Sequence, residues 1–518
     1  MNRTCAVVAV VLLLFVSVCP RVPAQGRRAG RVSAAEAGAG SEQSYRRALA
    51  AVEAAIEAHG GLAAMRAAEG VSFKGSGHSF ARNQSVGVEP PFDRMEHEES
   101  LYADVRRGRY IFENRDPLPG GFVFGGRAVI TGGQGFFANP RDKTVAPMNP
   151  ANLPANILNY VRRVPHLILV QARERAQTLR HLGTAAFEGR PHQVVTFATA
   201  NGLQVALFLD ARTRLLSKYE QMVTDPQTGD AVQETIFRGY RTVSGLRVPS
   251  SRVTTRGGEV IEEVTYTEFL VNTSPPDAAF AKPDGYADIP TPAPLPTRET
   301  KLGDGVYLFE SGVNSLVVEF ADHVLVVEPP VGGRGPKATI NKVREMFPSK
   351  PIRYVVVTHH HDDHAGGARG YIAEGAALVT TPSNRRYFER MAAGRFTLAP
   401  DDQSERRRPA RFEFVEGGRR VFTDGRQTVE VIDIGPSPHA REMLVAYLPK
   451  EKLVFQGDLV NLPATGRWMP STVNDTTLHF YDSIRRLGLD VERVASVHGP
   501  STTWGDLREA VEKKRAGR

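Results

Sequence analysis

Thr358-His359-His360-His361-Asp362-Asp363-His364-Ala365-Gly366-Gly367 follows directly on Ile352-Arg353-Tyr354-Val355-Val356-Val357. The second run is short, apolar and β-branched, the pattern of a buried strand. The histidines therefore sit on the turn at a strand's C-terminal end, where the chain opens into a Gly-rich helix start. Within the turn the spacing is His359-x-His361-x-Asp363-His364. Two imidazoles two residues apart in an extended turn can face one way and share a metal. The carboxylate and the next imidazole leave in another direction and can hold a second. Imidazole nitrogens and carboxylate oxygens suit zinc, which takes few ligands and keeps an open position when catalytic.

Working outward, three further strand ends carry donors. Ile432-Asp433-Ile434-Gly435-Pro436-Ser437-Pro438 leads to His439, Leu453-Val454-Phe455-Gln456-Gly457 to Asp458, and Val494-Ala495-Ser496-Val497 to His498. A lone His or Asp after a strand is usually a cap or a turn residue. Three in this order behind the histidine turn point to one shared site. His360 is out of phase with the donors and is expected to bond backbone or to support a ligand. His323 and His479 have no assigned partner.

The remaining composition narrows the possibilities. The chain has 518 residues, 41% apolar and 24% charged, which is globular and long enough for two or three domains. Residues 1–24 differ: Arg3 precedes the apolar run Ala6 to Val18, then Val22-Pro23-Ala24, the form of an export signal cut after Ala24, with a retained anchor as the alternative. Both cysteines, Cys5 and Cys19, lie inside it. A mature chain without them forms no disulfide and no thiolate–metal bond, so a metal site has only His, Asp and Glu to use. The net charge of +8 is spread over scattered Arg, and Arg406-Arg407-Arg408 has Glu405 beside it. We read it as a solvated surface with no nucleic-acid partner; the expected partner is a small-molecule substrate. The expected location is periplasmic or secreted.

Residues 25–43 are Ala/Gly/Arg-rich and expected to be disordered. Residues 44–284 open with a helix, Ser44 to Ala58 (Ala48, Val52, Ala55, Ile56), ended by Gly60-Gly61. Alternating segments then follow as far as Phe269, with turns such as Asp225-Pro226-Gln227-Thr228-Gly229 between them. Ala151 to Glu174 interrupts them with one or two helices. A large antiparallel sheet, curved or partly closed, is predicted. Its six histidines lack metal-ligand spacing. Residues 285–298, with Pro290, Pro292, Pro294 and Pro296, read as a stiff linker. Residues 299–518 mix strands and helices as two β-rich halves, hence two facing sheets with helices outside and an α+β chain overall.

Residues 300–518 resemble the metallo-β-lactamase superfamily, on Thr358-His359-x-His361-x-Asp363-His364-x-Gly366-Gly367 and the later His439, Asp458 and His498. The resemblance implies an αββα sandwich with two zinc ions at one edge. His359, His361 and His439 would hold the first, Asp363, His364 and His498 the second, and Asp458 would bridge them. It further implies that a hydroxide shared by the metals attacks an ester, thioester, lactone or lactam, with Asp363 as the catalytic residue that orients it and passes its proton. Pro438-His439-Ala440-Arg441-Glu442-Met443 departs from the usual His-Thr/Ser-x-Gly, and the Cys ligand of many zinc β-lactamases is missing. The ligand set is closer to the wider hydrolase branch, with a true β-lactamase as one alternative. The front half resembles periplasmic lipoprotein-carrier domains, a half-barrel holding a helix, on Leu207-Phe208-Leu209-Asp210 to Leu216 and Gly239-Tyr240-Arg241 to Pro249. That resemblance implies an accessory domain, with a lipid or the envelope as its expected partner; a lipid carrier with a vestigial metal site is the other alternative. Oligomeric state is left open.

Overall fold

A computed structural model describes residues 34–121, 123–289, 298–310, 313–329, 335–463, 466, 468 and 472–517. The expected export signal and most of the Pro-rich linker lie outside them. Ser44–Arg518 forms one compact body.

The first helix runs Ala34–Ala58, so residues 34–43, expected to be disordered, are helical. The correction follows from Ala34, Ala35, Ala37 and Ala39, since alanine loses least on entering a helix. Ala48, Val52, Ala55 and Ile56 recur at helical spacing and are buried. They share one core with Leu158 of the helix Leu153–Val161, with Ile168 and Leu169 of the helix Pro165–Glu174, and with sheet residues such as Phe73, Leu101, Phe197 and Leu207.

That sheet has fourteen strands, from Ala287–Asp288 at one edge to Arg180–Phe187 at the other. Its middle is the pairing of Val71–Phe80 with both Arg94–Asp104 and Glu259–Val271. All its pairings are antiparallel except Ala287–Asp288 beside Thr144–Val145. Part of the expected linker is thus sheet: Ala287 and Ile289 donate backbone hydrogen bonds to Lys143 and Val145. The large antiparallel sheet expected from the sequence is therefore present, with the helices packed in its core.

Residues 298–517 form two facing sheets. The seven-stranded one has Val324–Val327, Ile352–Val356 and Ala377–Thr380 at its centre in parallel. The six-stranded one carries Thr428–Asp433, Leu444–Leu448, Leu453–Gln456 and Arg493–Ser496. Val318, Val356 and Val379 of one meet Val429, Phe455 and Val497 of the other. Helices Gly335–Met346, Ala368–Glu374 and Arg385–Ala393 cover the first sheet. Asp475–Arg486 and Trp504–Arg515 cover the second. The central strands are buried on both faces, which is why they read as unbroken apolar runs.

The front sheet touches this sandwich closely. Asp230 accepts from the backbone N–H of Thr397 at 2.7 Å, and Gly229 pairs with Arg395. A Cβ at Gly229 would collide with the Arg395 backbone, and its φ of 90° excludes most other residues.

Inside the front sheet lies a buried charge cluster. Arg252 donates to Glu99 at 2.6 Å and 3.2 Å and also to Glu262. His97 Nδ1 bonds Asp116 at 2.7 Å. Burial opposes a charge on His97, but Asp116, Glu99 and Glu262 outweigh it and raise its pKa from 6.5 to about 10. Protonated His97 therefore stabilises the fold fully below about pH 6.5, and that contribution disappears as pH rises through about 10. Thermal midpoints measured across this window should fall with pH in the native protein and fall less in His97→Gln. Arg252→Met, which leaves Glu262 without its guanidinium and Glu99 with that of Arg163 alone, should cost on the order of 3–5 kcal/mol and lower the midpoint by several degrees.

Candidate metal centre

Each candidate donor leaves the edge of one or other sheet at a strand end. The strand Ile352–Val356 runs out into Thr358, and a four-residue helical turn, Asp362–Ala365, swings Asp363 and His364 away from His359 and His361. His439 follows Thr428–Asp433, Asp458 follows Leu453–Gln456 and His498 follows Arg493–Ser496. Asp458 has φ 59°, a backbone state rare outside glycine, which fits a functional position.

All seven side chains converge, in two groups that share Asp458. Donor atoms of His359, His361, His439 and Asp458 lie within 4.8 Å of one another, as do those of Asp363, His364, Asp458 and His498. His359 Nε2 is 3.2 Å from His439 Nε2. Asp458 Oδ2 is 3.2 Å from His364 Nε2 and 3.3 Å from His439 Nε2. Its Oδ1 is 3.4 Å from His498 Nε2, which is itself 3.2 Å from Asp363 Oδ2.

Electrostatics hold His359, His361, Asp363 and Asp458 in their ligand forms. Burial, then the neighbouring imidazoles, hold His359 and His361 well below the usual histidine pKa, so both are neutral. Burial opposes ionisation of Asp458, yet His364 and His498 more than offset it and keep the carboxylate. Burial likewise works against Asp363 and is outweighed by His364 and His498. In His364 burial is outweighed by Asp363, Asp458 and Glu328, which push its pKa well up. A metal ion must displace that proton.

The donor set fits metal ions. His361 is fully buried, and its Nε2 donates to the Ser85 carbonyl at 2.9 Å, leaving Nδ1 buried without a hydrogen-bond partner. His364 Nε2 is buried without a hydrogen-bond partner as well, while its Nδ1 is 2.9 Å from Glu328 Oε2. Unpartnered buried nitrogens aimed into a carboxylate-bearing cluster are what a cation would satisfy.

Glu328 is the residue whose role the sequence reading missed. It is fully buried, accepts from Thr358 Oγ1 at 2.5 Å and from Thr358 N at 3.2 Å, and so ties the histidine turn to the neighbouring strand end. Its φ of 73° marks it as held in place by its surroundings. The available signal was a carboxylate directly after the apolar strand Val324–Val327, the same placement as the seven donors. Gly457 is needed here, since a Cβ would strike Thr358 Oγ1 and crowd Glu328.

Other histidines stay apart. His360 packs edge-on against Tyr387, whose hydroxyl donates to the His360 carbonyl at 2.9 Å. His323 stacks on Phe320, and His479 Nε2 donates to the Ile434 carbonyl at 2.8 Å. Of the front-sheet histidines, His97 alone joins a further carboxylate group, with Glu99 and Glu262, but the guanidiniums of Arg252 and Arg163 already bond Glu99.

Two β-sheets between helix layers, with His and Asp donors gathered at their edge, define a metallo-hydrolase fold. Residues 308–511 match the metallo-beta-lactamase superfamily and form a domain of that superfamily. Among solved structures, the chain is similar to DIM-1 metallo-beta-lactamase at 19% identity, covering 43% of this chain and 98% of that one, TM-score 0.32. It is similar at 19% identity to a metallo-beta-lactamase from Pontibacter korlensis, over 43% and 99%, TM-score 0.31. The inverting sec-alkylsulfatase Pisa1 from Pseudomonas sp. is also 19% identical, over 42% of this chain and 40% of that one, TM-score 0.31. No curated protein matches the chain.

Because Glu328 orients His364, Glu328→Gln should weaken metal binding about 10- to 100-fold, read by competition with a chromophoric chelator.

Proposed function

We propose that the protein is an exported hydrolase that uses two zinc ions to cleave an ester, thioester, lactone or lactam. The observation that carries this reading is the pair of donor groups sharing Asp458. His359, His361 and His439 would hold one ion, Asp363, His364 and His498 the other, with Asp458 between them. When bound, such a pair polarises an acyl carbonyl and makes a water acidic enough to attack near neutral pH. Zinc is the expected metal because the donors are imidazole and carboxylate.

The chain's own groups supply the rest. Asp363, His439, Asp458 and His498 line a cavity of about 750 Å³, so a substrate can reach the donors. Asp458 stands in both donor groups and Asp363 in only one, which leaves Asp363 as the proton acceptor for the attacking water. Gln84 Nε2 donates to its Oδ1 at 2.8 Å and fixes the carboxylate's orientation. Export rests on residues 1–24 and is checked by N-terminal sequencing of the secreted protein.

Purified protein should contain close to two zinc per chain by elemental analysis. Chelation should abolish hydrolysis across a panel of the four substrate classes, and zinc should restore it. Asp363→Asn should lower kcat by roughly 10²–10⁴. Hydrolysis that survives Asp363→Asn combined with His361→Ala overturns the reading.

A further inference from the structure

The hairpin loop between the first two strands of the front sheet, residues 81–93, reaches across to the histidine turn through Asn83, Gln84 and Ser85. The Asn83 carbonyl accepts from Asp362 N at 3.2 Å, and the Ser85 carbonyl takes His361 Nε2 at 2.9 Å. Gln84 Nε2 bonds Asp362 Oδ1 at 3.0 Å and Asp363 Oδ1 at 2.8 Å. One residue on, the Val86 carbonyl accepts from Arg441 N at 2.8 Å, beside His439. The loop is braced from within, because Asp93 Oδ2 accepts from Ser85 Oγ at 2.6 Å and from Val86 N at 2.7 Å. Glu89 pairs with Arg390 at 2.7 Å, and Val88 packs on the outer helix layer. Such a loop holds its partners rather than merely resting on them.

The same side of the front sheet closes the cavity over the metal donors. Ala81, Leu118 and Phe124 line it together with His439, Asp458 and His498, and Leu462 and Pro463 add further apolar surface. Phe124 is 54% exposed and lines this cavity. Gly120 lies against His439 and Thr476, so the strand end bearing Leu118 is seated on the metal-site loops.

We propose that the front sheet is the second half of the active site. Gln84 is a positioning residue that orients Asp363, and Leu118 with Phe124 forms a subsite for an apolar chain on the substrate, next to the hydrolysable bond. The subsite rests on the hydrolase reading above; the Gln84 role rests only on the metal centre. An isolated sandwich, residues 299–518, would lack both.

The test uses the full-length, metal-loaded protein and probes that need no turnover. Octanohydroxamate and acetohydroxamate carry the same metal-chelating head on a long and a short chain. By calorimetry the native protein should bind octanohydroxamate at least about tenfold more tightly, and Leu118→Asn should reduce that preference to about threefold or less. Gln84→Met keeps side-chain length and removes the hydrogen bond. It should weaken the second metal equivalent about 10- to 100-fold and change the visible spectrum of the cobalt-substituted protein. Equal binding of the two hydroxamates by native protein, or a preference unchanged in Leu118→Asn, overturns the subsite. An unchanged cobalt spectrum and metal affinity in Gln84→Met overturns the positioning role. A protein that binds the hydroxamates selectively but hydrolyses none of the panel would refute the proposed reaction and leave the composite site standing.

Discussion

A carboxylate with no access to water, Glu328, holds the metal centre together. Its two oxygens take the Thr358 hydroxyl, the Thr358 N–H and the His364 ring. Two neighbouring strand ends are therefore locked in one register, and His364 can turn only its other nitrogen toward Asp363 and Asp458. A buried charge persists only where its oxygens are satisfied. Here those same hydrogen bonds are the ones that aim a donor.

The same rule operates across the molecule. His359 and His361 stay neutral because they are buried among other imidazoles, while Asp363 and Asp458 stay ionised because His364 and His498 face them. In the front sheet Arg252, Glu99, Glu262 and His97 form a second buried set that neutralises itself with guanidinium nitrogens. Guanidiniums of Arg252 and Arg163 occupy the Glu99 carboxylate of the second set, whereas Asp363 and Asp458 of the first face imidazoles. That difference separates a candidate metal site from a structural network, although both contain His and Glu or Asp. His97 also reaches, through Asp116, the rim of the cavity that opens on the metal donors.

Much of this was legible beforehand. Unbroken apolar runs such as Val324–Val327 and Val454-Phe455 mark strands buried on both faces, and a polar residue directly after such a run lies at a sheet edge by necessity. That logic, together with the His-x-His-x-Asp-His spacing and the family resemblance, located all seven donors. Applied to Glu328 it would have found the eighth polar group. Residues 34–43 were misjudged because Ala and Gly composition reads as low complexity, whereas alanine spacing favours helix. Gln84 gave no local signal, since it sits in a polar turn among polar turns and its partner Asp363 is 279 positions away.

Local sequence, then, determined the elements and the chemistry at their ends: β-branched runs make strands, and His-x-His-x-Asp-His on the turn after one of them can only present nitrogens and oxygens. Which groups share Asp458, which ring nitrogen of His361 is left for a metal, and that a loop from the front sheet reaches the centre were decided by tertiary packing. The physical reason is one of range. Strand and turn preferences act over a few neighbouring residues, while the burial that selects a tautomer or a charge state is created only when distant segments close over it.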